Sequence, residues 1–146
     1  MKVSIASDHA GFAQKEALAA WLAEEGYEVE NRGPETDDRV DYPDFAELVA
    51  KDVAAGLADR GVLVCGTGIG MAIAANKVAG IRAANIVSPE FAVLTREHNN
   101  ANVITLSGRF VDEAVNREIL KAFLTTEFAG GRHADRVNKI TALEGK

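Results

Sequence analysis

The stretch GVLVCGTGIGMAIAANKVAG, Gly61–Gly80, constrains the fold more than any other part of the chain. It opens with GVLVC, apolar throughout. Such a run reads as a strand covered on both faces, the normal condition of a central parallel strand. Three glycines follow at alternate positions, Gly66, Gly68 and Gly70, and then small residues suited to a helix. A covered strand that turns on glycine into a helix is half of a βα unit. The rest of the chain has to build a parallel sheet around it.

Short β-branched runs alternate with helical patterns along the whole sequence. Strands are predicted over Lys2–Ser7, Tyr27–Asn31, Gly61–Cys65, Ile81–Val87 and Asn102–Ser107. The first helix runs from Phe12 to Glu25, with Phe12, Leu18, Trp21 and Leu22 among polar residues and Gly26 as its stop. A polar loop spans Arg32–Asp41, and Pro43 starts a helix to about Ala55. The helix after the glycines reaches about Val78. In SPE, Ser88 is an N-cap, Pro89 the first helical residue and Glu90 a first-turn acid, opening a helix to about His98. Asp112–Phe128 is helical, and a last helix follows AGGRH to the chain end. Five βα repeats without hairpin signals predict one α/β domain over residues 1–146. It is a three-layer sandwich with a five-stranded parallel sheet, Rossmann-like and doubly wound, helices on both faces. Ligands of such sheets bind at the strand carboxyl ends. There the sequence puts Asp8, His9, Tyr42, Cys65 to Gly70, Ser88 and Ser107 to Arg109.

Composition narrows the function. A chain of 146 residues, 47% hydrophobic, affords a full core. The longest apolar run is far too short to span a membrane. A formal charge of −6 with no basic run argues against nucleic acid, although a few arginines can still form a local anion pocket. One cysteine permits no internal disulfide and no cysteine metal cage, and no metal-ligand constellation is present; no metal is expected. MKVSIASDHAG opens directly into a strand-like alternation with no secretory leader, so the expected location is cytoplasmic.

The glycine loop is not a dinucleotide fingerprint. Its spacing is G-x-G-x-G, with Met71 in the place of the last glycine of G-x-G-x-x-G. It follows the third strand, no acid ends the next strand, and G-K-[ST] is absent. Alternating glycines before a helix instead set out a row of backbone N–H groups, a nest for anionic oxygen. That oxygen could belong to a phosphate or an enediolate. A tight turn without ligand is the plainer alternative. Cys65, the only cysteine, ends the strand beside those dipoles, where a thiol is a candidate nucleophile or proton-transfer base; otherwise it is a small buried hydrophobe. Asp8 and His9 could exchange protons with sugar hydroxyls, or Asp8 could simply cap a helix. Arg132 and Arg136, four apart, share one helix face and suit a phosphate dianion, or are solvated charges.

The chain resembles the type B ribose-5-phosphate isomerases and the related galactose- and allose-6-phosphate isomerases. The resemblance rests on SDHAGF, DYPDFA, CGTGIGMAIAANKVAGIRAA, REHNNANV, SGR and GGRHADRV, in that order along nearly the whole chain. It implies interconversion of D-ribose 5-phosphate and D-ribulose 5-phosphate through a cis-enediolate, without metal or cofactor. It implies Cys65 as the base between C2 and C1, Thr67 assisting at the reacting hydroxyls, and the backbone of Gly66, Gly68, Ile69 and Gly70 holding the enediolate. His98, with Asp8, is expected to open the furanose ring, and Asn99 to bind the sugar. His9, Arg132 and Arg136 would hold the phosphate, with Arg109 and Tyr42 lining the site. One branch of the family uses a glutamate after the third loop glycine; Met71 stands there, which puts this chain in the cysteine branch. The resemblance also implies a homodimer or homotetramer with sites shared between chains. Allose 6-phosphate, galactose 6-phosphate or a tetrulose 4-phosphate are alternative substrates. A non-catalytic phosphosugar-binding protein is the alternative of another class.

Overall fold

The structure, a computed structural model, describes residues 1–145. The elements in chain order are β1 (Lys2–Ser7), α1 (Phe12–Glu24), β2 (Glu28–Asn31), α2 (Tyr42–Ala54), β3 (Arg60–Cys65), α3 (Ile69–Ala75), β4 (Ala83–Asn85), α4 (Pro89–Asn99), β5 (Val103–Ser107), α5 (Glu113–Thr125) and α6 (Arg132–Thr141). The five strands form one parallel sheet in the order β2-β1-β3-β5-β4.

Alternation within each strand divides the core. Val3, Ile5, Val62, Val64, Ile104 and Leu106 face Leu18 and Leu22 of α1, Ala92 of α4, and Ile119, Leu120 and Phe123 of α5. Ala6, Leu63, Cys65 and Val103 face Ala46, Val49 and Ala50 of α2 and Met71 and Ala75 of α3. The result is the expected three layers. Each fully buried aliphatic side chain contributes about 1.5–3 kcal/mol. The right-handed crossover rule explains the sides. Connections that move one way along the sheet, through α1 and α4, share one face; those that move the other way, through α2 and α3, share the opposite face. The chain therefore leaves β1 and β3 in opposite directions. Their carboxyl ends flank a crevice, the topological switch point where ligands of open sheets bind.

Several expected boundaries shift, three of them for a side-chain reason. β4 covers Ala83–Asn85 rather than Ile81–Val87. It is an edge strand, and the Arg82 N–H donates to the Asn102 side chain at 2.8 Å instead of joining the ladder. α3 ends at Ala75, where the Asn76 carboxamide exchanges two hydrogen bonds with Ala83, at 2.8 and 2.9 Å. α5 stops at Thr125, because the Thr126 carbonyl turns to accept from Arg96 Nε at 3.0 Å. The last helix includes Arg132 and His133 and ends at Thr141; Lys146 lies outside the described residues.

Candidate active site

Asp8 and His9 follow β1 directly. Asp8 donates its N–H to the Val64 carbonyl at 3.1 Å, and its buried carboxylate accepts from the Gly11 N–H at 3.0 Å. So Asp8 closes the turn that leads into α1, whose N-cap is Gly11, beside the strand that ends in Cys65. His9 Nδ1 lies 3.3 Å from both the N and the O of Val40, which ties it to the loop between β2 and α2. That loop is anchored from below by Lys15. Its side chain is fully buried, with Nζ on the Pro34 carbonyl at 2.7 Å, on Asn31 Oδ1 at 3.3 Å and on the Glu16 carboxylate.

The loop after β3 has the form that its glycines suggest. Gly68 adopts φ +85°, a left-handed conformation that favours glycine, and its N–H donates to Cys65 Sγ at 3.1 Å. Cys65 itself is 6% exposed. Thr67 Oγ1 accepts from the Ile69 N–H at 3.1 Å. Among the described residues, the N–H groups of Gly66, Thr67, Gly70 and Met71 find no acceptor. Four free donors within six residues, next to a sulfur that already accepts a fifth, are a donor set suited to an anion.

Neighbouring elements hold this loop. The Gly66 carbonyl accepts from Ser107 Oγ at 2.7 Å and from the Arg109 N–H at 3.2 Å, and the Cys65 carbonyl from the Gly108 N–H at 2.8 Å. The Arg109 side chain lies over Gly66, where an added Cβ would stand 3.4 Å from Nη1. The Tyr42 ring lies on Gly70, where a Cβ would stand 2.6 Å from it. Asn85, at the end of β4, fills the space under Gly68. Turned so that its amide nitrogen faces Thr67, it donates to the carbonyls of Thr67 (3.3 Å) and Thr105 (3.1 Å) and to Thr105 Oγ1 (3.2 Å). The opposite orientation sets its oxygen against those carbonyls, so this is the orientation we assign.

A second group assembles at the other end of the sheet. His98 and Asn99 lie on the last turn of α4, exposed, just before the start of β5. Cys65 pairs with Ser107 at the far end of that strand. Five residues of strand, roughly 13 Å at ~3.3 Å per residue, separate the two ends. α6 packs on α4 through its buried Val137 and brings Arg132 and Arg136 to the His98 end. The rings of His98 and His133 are stacked, centroids 4.4 Å apart and planes 16° apart. Buried Arg96 fixes this corner. Nη1 donates to Asn100 Oδ1 at 2.8 Å and to the Ala101 carbonyl at 2.7 Å, and Nε reaches the segment leading to α6. Burial, with Arg60 and Arg82 nearby, brings its pKa down to about 10. A cavity of about 680 Å³ borders Asn99 between the α3–β4 turn and the C-terminal tail, away from the glycine loop.

Asp8, His9, Tyr42, Cys65, Gly66, Thr67, Gly68, Ile69, Gly70 and Arg109 thus stand together at the carboxyl end. His98, Asn99, Arg132 and Arg136 stand together at the amino end, and within one chain the two groups do not meet. Asn85, Lys15 and His133 were not singled out as site residues in the sequence. Asn85 ends a strand in line with the glycine loop, which is the one signal that could have marked it. Among the described residues, no three His, Cys, Asp or Glu side chains are grouped to hold a metal ion, and no helix is long and apolar enough to cross a membrane.

The family model described as Ribose/Galactose Isomerase matches residues 3–140. The chain is 45% identical to ribose-5-phosphate isomerase B of Escherichia coli over 98% of its length and 96% of that protein's. A putative sugar phosphate isomerase of Bacillus subtilis is 46% identical over 100% and 99%. A solved ribose-5-phosphate isomerase B of Clostridium thermocellum superposes with TM-score 0.97 at 47% identity, covering 99% and 97% of the two chains. The Mycoplasma genitalium ribose-5-phosphate isomerase B, solved with bound ribulose-5-phosphate, superposes with TM-score 0.95 at 45% identity, covering 99% and 97%.

Proposed function

The chain belongs to the ribose/galactose isomerase family and is a phosphosugar isomerase, and from that premise we propose the reaction and its residues. It interconverts D-ribose 5-phosphate and D-ribulose 5-phosphate through a cis-enediolate, with Cys65 as the base. One observation carries this reading: the Cys65 sulfur stands beside a loop with four N–H groups that find no acceptor among the described residues. A sulfur base takes the C2 proton and returns it to C1. The charge that develops on the sugar oxygens falls on the loop, where each well-placed donor contributes about 3 kcal/mol. The Thr67 hydroxyl assists at the reacting hydroxyls, and the Gly66–Gly70 backbone holds the enediolate: the Gly66 and Gly70 N–H groups are free for it, while those of Gly68 and Ile69 turn to it from Cys65 Sγ and Thr67 Oγ1.

The remaining groups come from a second copy of the chain. His98, which opens the furanose ring, and Asn99, Arg132 and Arg136, which hold sugar and phosphate, lie at the far end of the sheet from their own Cys65. A two-fold dimer brings one chain's His98 group against the other's Cys65 group, next to Asp8, His9, Tyr42 and Arg109. Two apolar rows support this assembly. Ile69 and Ile73 of α3, with Phe91 and Leu94 of α4, are exposed on either side of the edge strand β4, Ile73 61% and Phe91 58%. Exposed apolar rows of this kind suit an interface.

Two measurements test the reading. Folded Cys65→Ala is expected to lose ribulose 5-phosphate formation by at least about a hundredfold; near-normal turnover would remove Cys65 as base. Comparison of kcat/KM for ribose 5-, allose 6-, galactose 6- and tetrulose 4-phosphates decides the sugar. The presence of Asp8, Cys65 and His98 disfavours a binding protein without catalysis, which would take up substrate and exchange no carbon-bound proton.

A further inference from the structure

Of the three histidines, only His9 has a ring nitrogen hydrogen-bonded among the described residues. The His98 ring has no such tether. A histidine that moves protons is ordinarily aligned through a hydrogen bond from its second nitrogen. Its ring instead lies face to face on His133, centroids 4.4 Å apart and planes 16° apart. His133 is itself held by the backbone. Its N–H donates to the Gly130 carbonyl at 3.1 Å, at the start of a helix that Val137 anchors in the core. The stack therefore joins the proposed ring-opening histidine to the helix that carries Arg132 and Arg136.

We propose that His133 is a positioning residue for His98, a flat platform that fixes the imidazole plane and leaves both nitrogens of His98 free for the sugar. The inference rests on the proposed isomerase reading and adds a residue to it. A platform must not repel a proton on the ring it carries. The surroundings of His133 meet that condition, since they disfavour its charged form: desolvation most, then His98, then Arg132 and Arg136 on its own helix, with Glu97 of α4 alone opposing. Phenylalanine should therefore replace it better than alanine does.

The test separates ring opening from proton transfer. Ribose 5-phosphate is largely a closed furanose. Ribulose 5-phosphate is acyclic, because its O5 is esterified, and solvent deuterium enters its C1 through the enediolate with no ring to open. Both are measured with the whole protein and with His133→Ala and His133→Phe. Turnover of ribose 5-phosphate by His133→Ala should fall about tenfold with little change in KM, while deuterium exchange into ribulose 5-phosphate stays at the wild-type rate. His133→Phe should recover most of the lost turnover. Equal losses in both assays, or a phenylalanine variant no better than alanine, overturn the positioning role. Wild-type protein that neither isomerises nor exchanges overturns the isomerase reading, and the inference with it.

Discussion

The Gly68 N–H points at the Cys65 sulfur from 3.1 Å, across a turn that only a left-handed residue closes. The strand supplies the sulfur and the turn supplies the donors, so the geometry of one fixes the other. Gly68→Ala should separate them. The added methyl would stand 2.3 Å from the Asn85 side chain and 3.0 Å from the Leu106 carbonyl. The left-handed backbone adds about 1–2 kcal/mol of strain. A folded Gly68→Ala protein should lose about 10²–10³ in kcat, the size of a lost oxyanion donor. Circular dichroism alongside turnover checks it; a folded, fully active variant would show that the loop does not hold the reacting charge.

Asn85 makes a second test of the same loop from below. An aspartate there has the same shape and no N–H to give to the Thr67 and Thr105 carbonyls. Asn85→Asp should lower stability by about 1–3 kcal/mol in urea unfolding and reduce kcat. If both stay at wild-type values, the carboxamide is not what fixes the loop.

Sharing of the site is open to complementation. Cys65→Ala and His98→Asn should each be nearly inactive alone. Unfolded together and refolded, half the dimers are mixed, and each mixed dimer regains one intact site of two. About a quarter of the wild-type activity should return. No recovery, with mixed dimers shown by mass spectrometry, would place both groups in one chain.

Stability should carry a pH signature from His133. Its folded pKa is lowered by desolvation and by the cations around it. Between that value and the ~6.5 of an unfolded histidine, the unfolded chain holds the extra proton. Stability is therefore expected to fall as pH drops below ~6.5 and to level off once the folded ring titrates. His133→Phe should flatten that part of the profile. Urea midpoints between neutral and mildly acid pH measure it, and an unchanged slope in the variant would assign it to other groups.

The sequence made the sheet legible because five apolar runs and their intervening helices all obey one pattern. The glycine loop was legible because the left-handed turn at Gly68 and the close approach of Tyr42 at Gly70 leave glycine as the fitting residue at each. What escaped was set by side chains acting as backbone. Asn76 ended α3 early, Asn102 shortened β4, and Arg96 drew Thr126 out of α5. Nothing in a linear pattern announces such long-range bonds. The parallel βα order already sets His98, before β5, and Cys65, at the end of β3, at opposite ends of the sheet; the register adds that Cys65 pairs with Ser107, the last residue of β5. Lys15 was equally hidden, a charge on the first helix that ends fully buried under the loop that seats His9.

The two bonds between Asn76 and Ala83 have a further consequence. Ala83 lies on the outermost strand, and the carboxamide takes up both its N–H and its carbonyl as an adjoining strand would. An incoming peptide backbone finds that rung of the ladder already filled, so the sheet resists lengthening into a fibre. Contact on that flank is left to the helix sides, which have a limited extent and a definite shape. A single side chain thereby closes this edge to open-ended strand addition.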